Sequence, residues 1–340
     1  MKQPLTRDSK VSFALNLRMG IRPEPDVTNK EFLLSLHDYG IYLRVFAAFD
    51  HLSQLREPTC GPVRRIASIS GFYHQLGSHS EDIVSLLVAL VAWKADRSLS
   101  LPNLLKRLVL RPKSPGTVEP NVYVEEPITR LIKTQKRTFI DPHVFLDYLH
   151  KFSPMELVQV LGIPWKKNVS VKFVPDYQRD AYAKYPTALH EIVRTLFQPS
   201  SALLDASTNK IKHGPQVIIA NPRECASRRG ITGAVLSEAP NKTYLRILLD
   251  GARTQEKIGE LEEGRRVAPF LLDEREVMDS FFYETFLLRA EIMLLTVRIL
   301  LTYVLGEKNL GSIPSELDSI VQERNEYFDK HRPGWRSDRG

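Results

Sequence analysis

The 340-residue chain is poor in cysteine and has no glycine-rich loop. Its two cysteines, Cys60 and Cys225, lie far apart and outside any C-x-x-C pair, which excludes a disulfide framework, a zinc ribbon and an iron–sulfur cluster. The 17 glycines are scattered singly, and no P-loop or Rossmann glycine pattern occurs. The sequence therefore predicts reduced thiols, no metal site and no cofactor.

Membrane and export signals are also lacking. The N-terminal stretch MKQPLTRDSK contains no apolar region of the kind found in signal peptides. Residues 286–306 have the length of a membrane span, but Arg289, Glu291 and Arg298 interrupt them. We therefore expect a buried helix there, a cytoplasmic protein and no membrane partner.

The composition that remains is that of a soluble, basic, globular protein. The hydrophobic fraction is 43%, the charged fraction is 26%, and the formal net charge is +7. A positive balance favours anionic partners, so RNA is a candidate partner. A protein partner or a homodimer is the other partnership that we consider.

Helical periodicity dominates the first two thirds of the chain. Thr28 and Glu31 form a capping box that predicts a helix over 28–55, and a second helix follows over 62–96. The predicted buried stripe of the first helix is Phe32, Leu36, Tyr39, Leu43 and Phe46. A third helix begins at Leu101 and ends near Arg111. Helical pattern resumes over 128–139, and further helices start after Asp141 and at Ser153.

Residues 216–252 change character, because β-rich runs alternate there with turn residues. The most apolar helix, 273–305, follows and should lie centrally. The predicted fold class is therefore mainly α, a multi-helix bundle with a small antiparallel β insertion at 216–252. The predicted regions are 1–112 (helical), 113–127 (proline-rich linker or loop), 128–310 (helical with the β insertion) and 311–340 (charged helix and tail).

The strongest candidate for chemistry is the stretch STNKIKHGPQV at 207–217. On a helix, Asn209 and His213 share one face because they are four residues apart. A histidine beside an amide could act as a general acid or base on a phosphodiester, while Lys210 and Lys212 contact the phosphate.

The same stretch has a structural interpretation. Gly214 suits the left-handed residue after a helix, and Pro215 prevents continuation of the helix. Basic residues in a last helical turn complement the negative end of the helix dipole. Both interpretations, a helix end and a phosphate site, remain open at this point.

A polar residue followed four positions later by His213 resembles the signature of HEPN-type helical proteins, many of them bacterial ribonucleases of toxin and defence systems. That signature is Arg, four to six residues, then His, often with Asn directly after the Arg. Thr208 stands before Asn209 in place of the arginine. The resemblance implies RNA binding with or without cleavage. Cleavage would be metal-independent, with His213 and Asn209 as the catalytic pair.

A second match to the spacing lies near the C-terminus. Arg324 is followed directly by Asn325, and His331 comes seven residues after the arginine. We therefore include these three residues among the candidate substrate-binding residues.

Two further groups of ionisable residues are candidates for a functional role. His74 and His79, with Glu81 and Asp82, could suggest a metal site. The spacing of the two histidines, however, does not put both rings on one helical face. The segment GSHSED is instead typical of a turn and a helix start. Glu291 and Arg298 lie seven apart on the apolar helix. They could line a polar pocket, take part in an inter-helix ion pair, or lie on a solvated edge of the helix.

Two functions follow from the sequence. The first is a HEPN-like RNA-binding protein, with metal-independent ribonuclease activity as its catalytic form. The alternative is a non-catalytic helical interaction or scaffold protein.

Overall fold

The described part of the protein, taken from a computed structural model, is mostly helical, which confirms the predicted mainly α class. The structure describes residues 26–111, 120–166, 182–197, 217–220, 243–248, 267–272, 279, 281–310 and 315–331.

The main helices follow one another along the whole described chain. They are α1 (Asn29–Ser35), α2 (Ile41–Arg56), α3 (Pro62–Ala95), α4 (Leu101–Arg107), α5 (Pro120–Lys133), α6 (Pro142–His150), α7 (Pro154–Val160), α8 (Tyr185–Phe197), α9 (Leu287–Tyr303) and α10 (Ser315–His331). Two π-helical segments extend them: Leu36–Gly40 joins α1 to α2, and Phe281–Phe286 leads into α9.

The predicted helix starts are confirmed by their side-chain caps. The Glu31 backbone N–H donates to the Thr28 hydroxyl, and the Glu31 carboxylate accepts from the Thr28 backbone N–H at 2.8 Å. Ser153 and Glu156 form the same reciprocal pair at α7, and the Asp141 carboxylate caps α6. Each cap satisfies backbone donors that the first helical turn leaves unpaired.

The first predicted helix buries a different side from the predicted one and contains a π segment, Leu36–Gly40. The Ile41 backbone N–H donates to the Leu36 carbonyl, five residues back, so the segment holds one residue more than an α-helical turn. Tyr39 and Leu43 are 75% and 69% exposed, and their predicted burial is therefore wrong. The buried side of the helix carries Leu33, His37, Ile41, Tyr42, Val45 and Ala48 instead.

A two-stranded parallel sheet was not predicted. Strands β1 (Leu108–Leu110) and β2 (Thr138–Ile140) pair with Leu108 opposite Thr138. The helical pattern predicted up to Arg111, and the one predicted over 128–139, both end in these strands. Parallel strands need a long crossover, and the connection that supplies it includes α5.

The start of α5 also revises the linker prediction. Residues 112–119 are outside the described part of the chain, whereas 120–127, predicted as linker or loop, belong to α5.

Three strands lie in and after the segment predicted as a β insertion. Strands β3 (Val217–Ala220), β4 (Thr243–Leu248) and β5 (Val267–Leu272) pair antiparallel in that order, with β4 in the middle. The third strand lies beyond the predicted end of the insertion at residue 252.

Helix α9 lies at the centre of the packed helices. Every residue from Arg289 to Leu301 is buried, and α9 contacts α1, α2 and α8. An apolar surface on all sides of a helix is typical of a central position, so the prediction for this helix is confirmed. Helix α2 packs along α3, and α8 packs on α6 and α7.

One helix in the described part of the chain has the length and composition to cross a membrane. It is Ala67–Ala95 within α3, and 72% of its most apolar window is buried inside the protein. Core helices of soluble proteins pass the same test, so this feature alone is weak support for a membrane span.

Candidate functional site

Helix α9 carries four buried polar side chains within its apolar surface: Arg289, Glu291, Thr296 and Arg298. Each makes a hydrogen bond with a side chain of another part of the fold. The Arg289 Nη1 donates to the Ser80 hydroxyl of α3 at 3.1 Å, and the Tyr185 hydroxyl of α8 lies 2.7 Å from the Thr296 hydroxyl. These contacts join α9 to its neighbours by specific polar bonds as well as by apolar packing.

Arg298 belongs to a buried polar chain with the π segment. Its Nε donates to the His37 Nε2 at 2.8 Å, and the His37 Nδ1 lies 2.7 Å from the Asp38 carboxylate. Because an arginine Nε only donates, the His37 Nε2 must be the acceptor, and Nδ1 then carries the proton that Asp38 accepts. Burial lowers the pKa of His37, so its ring is neutral in this arrangement.

Glu291 forms an ion pair with Arg324 of α10. The Arg324 Nη1 donates to the Glu291 carboxylate at 2.9 Å, and both side chains are only 11% exposed. The predicted interpretation of Glu291 as part of an inter-helix ion pair holds, and the solvated-edge interpretation does not. Arg324 was a candidate substrate-binding residue, but its guanidinium bonds α10 to the central helix inside the protein.

The other two C-terminal candidates lie on the outer part of α10. Asn325 is half-buried, while His331 is exposed and stacks on Tyr327 with the ring centres 4.3 Å apart. The His331 Nδ1 lies 2.8 Å from the Tyr327 carbonyl, four residues earlier on the same helix. Neither residue shares the described contacts of Arg324, so the structure does not join the three into one site.

The first group of candidates is outside the described residues. This applies to the four candidate residues of the Asn209–His213 stretch: Asn209, Lys210, Lys212 and His213. Their proposed roles in phosphate chemistry stay predictions.

A second polar cluster also binds α10, through Glu323. Arg56 of α2 bonds the Glu323 carboxylate, and its Nη2 donates to Asp279 and to the Tyr283 hydroxyl, both at 2.8 Å. The Tyr283 hydroxyl donates in turn to Glu323. Burial raises the pKa of Asp279 although Arg56 opposes this shift. Every member of this partly exposed cluster has a partner within it, which is typical of a structural anchor.

The described residues also form a half-open cavity of about 390 Å³ beside the π segment. Its walls come from α1, the π segment, α2, α3, α4 and α9. The lining is mostly apolar: Phe32, Leu36, Gly40, Ile41, Ile83, Leu86, Leu105 and Met293, with His79, Asp82 and Ser85 as the polar members. This size and this mixture of apolar walls and few polar groups are typical of small-molecule sites.

His79 of α3 is the distinctive residue of the cavity. It is 3% exposed, its ring stacks on Phe286 at 4.5 Å, and its Nε2 has no hydrogen-bond partner in the described structure. Burial, with a contribution from Arg289 and Arg44, lowers the pKa of His79 to about 3. The ring is therefore neutral near neutral pH and carries a polar atom whose hydrogen bond is unmet.

An ion pair stands at the exposed edge of the cavity. The Arg44 Nε donates to the Asp82 carboxylate at 3.0 Å, and these side chains are 32% and 58% exposed. Gly40 lies in the wall, where an added Cβ would come within 2.9 Å of the Leu36 side chain. A glycine at this position therefore keeps the wall from crowding Leu36.

The metal-site interpretation of His79 gains no support. Within the part of the chain that the structure describes, no group of three or more metal-binding side chains comes together. The segment GSHSED, predicted as a turn and helix start, lies inside the continuous helix α3.

Sequence reasoning missed His79 as a cavity residue, although a signal was present. In the sequence of α3, Ile83, Leu86 and Leu90 recur at helical spacing, and His79 lies one turn before Ile83. Extending the stripe by four residues would have placed this histidine on the buried face.

Comparisons with protein-family models, with curated proteins and with solved structures found no match to this chain.

Proposed function

We propose that this chain is a non-catalytic helical binding protein whose cavity beside His79 takes a small, largely apolar molecule. The mostly apolar lining of this cavity carries the proposal. A volume of about 390 Å³ with a few polar groups, all of them on α3, is typical of a site for a small molecule.

The proposal develops the non-catalytic alternative of the sequence analysis. Among the described candidates for phosphate binding, Arg324 is held by Glu291 inside the protein. A guanidinium in that position is poorly suited to reach a nucleic-acid backbone, because its ion pair would have to break first.

The test uses N-phenyl-1-naphthylamine, a neutral apolar fluorophore. We expect its fluorescence to rise on binding to the full chain. The half-buried Ser85 lines the cavity, so Ser85→Phe should fill it and abolish the signal. Ser53→Phe is the matched control, since Ser53 is also half-buried but lies outside the lining. Equal fluorescence from both variants, or none from the parent chain, would refute the proposal.

The ribonuclease prediction has a separate test. If His213 is catalytic, the chain cleaves a labelled RNA pool in EDTA, and His213→Ala abolishes cleavage without lowering the thermal unfolding temperature. Cleavage that survives both His213→Ala and Arg324→Ala would show that these site assignments are wrong.

A further inference from the structure

The parallel pairing of β1 with β2 brings together two basic segments that are distant in the sequence. Lys106–Arg107 comes directly before β1, and Lys136–Arg137 comes directly before β2. The two strands run parallel and their first residues are paired, so both basic segments lie at the same end of this sheet.

The last turn of α5 adds a third basic position at this end. The Arg107 guanidinium donates to the Leu131 carbonyl and thereby holds the end of α4 against the end of α5, where Lys133 lies. Arg107 is therefore occupied in the fold. Four exposed cations remain around this end of the sheet: Lys106, Lys133, Lys136 and Arg137.

Acidic groups do not neutralise these four cations. The segments 103–111 and 127–140 contain no aspartate or glutamate. In the described part of the chain, Glu126 of α5 pairs with Arg130, and none of the four cations has an acidic partner. Asp141 follows β2, but it is 2% exposed and caps α6. An exposed surface of one charge sign attracts a partner of the opposite sign.

An exposed aromatic ring lies beside the cations. Phe139 is 44% exposed, whereas its neighbours Thr138 and Ile140 are buried. The guanidinium carbon of Arg111 lies over the Phe139 ring, 3.5 Å from its centre. An aromatic ring and a guanidinium next to free cations are the groups on which the bases of single-stranded nucleic acids stack.

We propose that this surface binds a single strand of nucleic acid, with phosphates against the four cations and a base stacked at Phe139. The site is separate from the cavity and goes beyond the proposed function. A duplex keeps its bases stacked on one another, and an acidic protein brings charge without bases. The exposed ring therefore favours a single strand over both.

Fluorescence anisotropy of a labelled oligouridylate of about 12 nucleotides, titrated with the full chain, tests the proposal. The logarithm of the affinity should fall with the logarithm of the salt concentration with a slope of about −3, as four phosphate contacts imply. The deoxy form of the same strand should bind equally, because phosphates and base faces are common to both sugars. Binding of only one form would overturn the assigned contacts.

Charge variants assign the phosphate contacts to this surface. Lys136→Gln combined with Arg137→Gln should weaken binding about tenfold or more at about 0.1 M salt and reduce the slope by about 1.4. The matched control is Lys308→Gln combined with Lys330→Gln. These two lysines are also exposed but lie outside the sheet and the helices beside it. The control should change the affinity less than about twofold.

Variants of the ring separate base stacking from attraction of any polyanion. Phe139→Leu should weaken binding at least about fivefold without changing the salt slope, because it removes the ring and no charge. Phe139→Tyr keeps a ring and should retain the parent affinity. Inorganic polyphosphate and polyglutamate should compete poorly with the oligonucleotide, since neither has a base to stack.

Several results would overturn the inference. They are absence of binding at about 50 mM salt, equal losses from the two charge variants, or an affinity that Phe139→Leu leaves unchanged. Polyglutamate that competes as strongly as a second oligonucleotide would indicate an acidic protein partner instead. If Phe139→Leu does not fold, the charge variants decide. Ser85→Phe, which fills the cavity, should leave oligonucleotide binding intact, and its loss would overturn the separation of the two sites.

Discussion

His37 and His79 are both buried close to arginines of α9, yet their ring nitrogens differ in hydrogen bonding. Both nitrogens of His37 have partners, Asp38 on one side and Arg298 on the other. The Nε2 of His79 has none and belongs to a residue that lines a cavity. The first histidine completes a polar chain within the fold, whereas the second has a buried ring nitrogen without a partner in the described structure.

The difference shows why burial of a polar group does not by itself identify a functional site. A buried histidine with both nitrogens bonded stabilises the packing of its helix, because its loss leaves other groups unsatisfied. A buried histidine with an unmet nitrogen lowers stability, because that nitrogen has lost its bond to water and gained none in the protein. Four predictions, from the largest expected effect to the smallest, test this distinction.

The largest effect on stability is expected when the buried ion pair of Glu291 and Arg324 is broken. Glu291→Leu leaves the Arg324 guanidinium buried without its carboxylate, which should lower the free energy of unfolding by about 3–5 kcal/mol. Chemical denaturation measures the loss. Glu291→Leu combined with Arg324→Met should recover most of it, because no unpaired charge then remains. A loss below about 1 kcal/mol in the single variant would mean that the pair behaves as a surface ion pair.

The second effect is a loss of stability in acid that depends on His79. Its pKa is about 3 in the folded protein, below the ordinary value of 6.5 that the unfolded chain has. The unfolded chain therefore binds a proton first, and stability is constant above about pH 6.5 and falls as the pH falls toward 3. By pH 5 this group alone accounts for a loss of about 2 kcal/mol.

Comparing the parent chain with His79→Phe isolates that contribution. The variant should lose less stability between neutral pH and pH 5, as measured by denaturation at each pH. A loss of stability between neutral pH and pH 5 that is identical in the two chains would show that His79 does not remain neutral in the folded state.

The third effect comes from His37→Phe. The Arg298 Nε loses its acceptor, and a lost bond to a charged group costs about 1.5–3 kcal/mol. Thermal and chemical unfolding should both show the decrease. An unchanged stability would mean that water or another side chain replaces His37 as the acceptor.

The smallest effect on stability is expected from His79→Phe. His79→Phe removes an unmet polar atom and keeps the ring that stacks on Phe286, so stability near neutral pH should change by less than about 0.5 kcal/mol or rise. A loss as large as that of His37→Phe would remove the distinction between the two histidines.

The polar contacts of α9 were harder to predict from the sequence than the helices were. The charges on α9 indicated a buried pair or a polar pocket, because ionised residues are rarely buried alone. Their partners could not be identified, since Arg324 lies 33 residues from Glu291 and His37 lies 261 residues from Arg298. Only the folded chain brings these groups within hydrogen-bonding distance.

The exposed pair Tyr39 and Leu43 shows a second limit. Their spacing matches a regular helix, and a regular helix would bury them with Phe32 and Leu36. The buried face already carries Leu33 before the π segment, and it continues with His37, Ile41, Tyr42 and Val45 across the extra residue that the segment adds. Sequence periodicity assumes a constant helical repeat, so it does not predict such an insertion.

The sequence by itself determined where α1, α6 and α7 begin and that α9 is buried. A capping residue acts within a few positions of the helix it starts, and an apolar surface on every side needs no particular partner to predict burial. Tertiary structure alone decided the β1–β2 pairing, the partners of the α9 charges and the unmet nitrogen of His79. Those features depend on which distant segments meet, and local hydrogen bonding and periodicity do not carry that information.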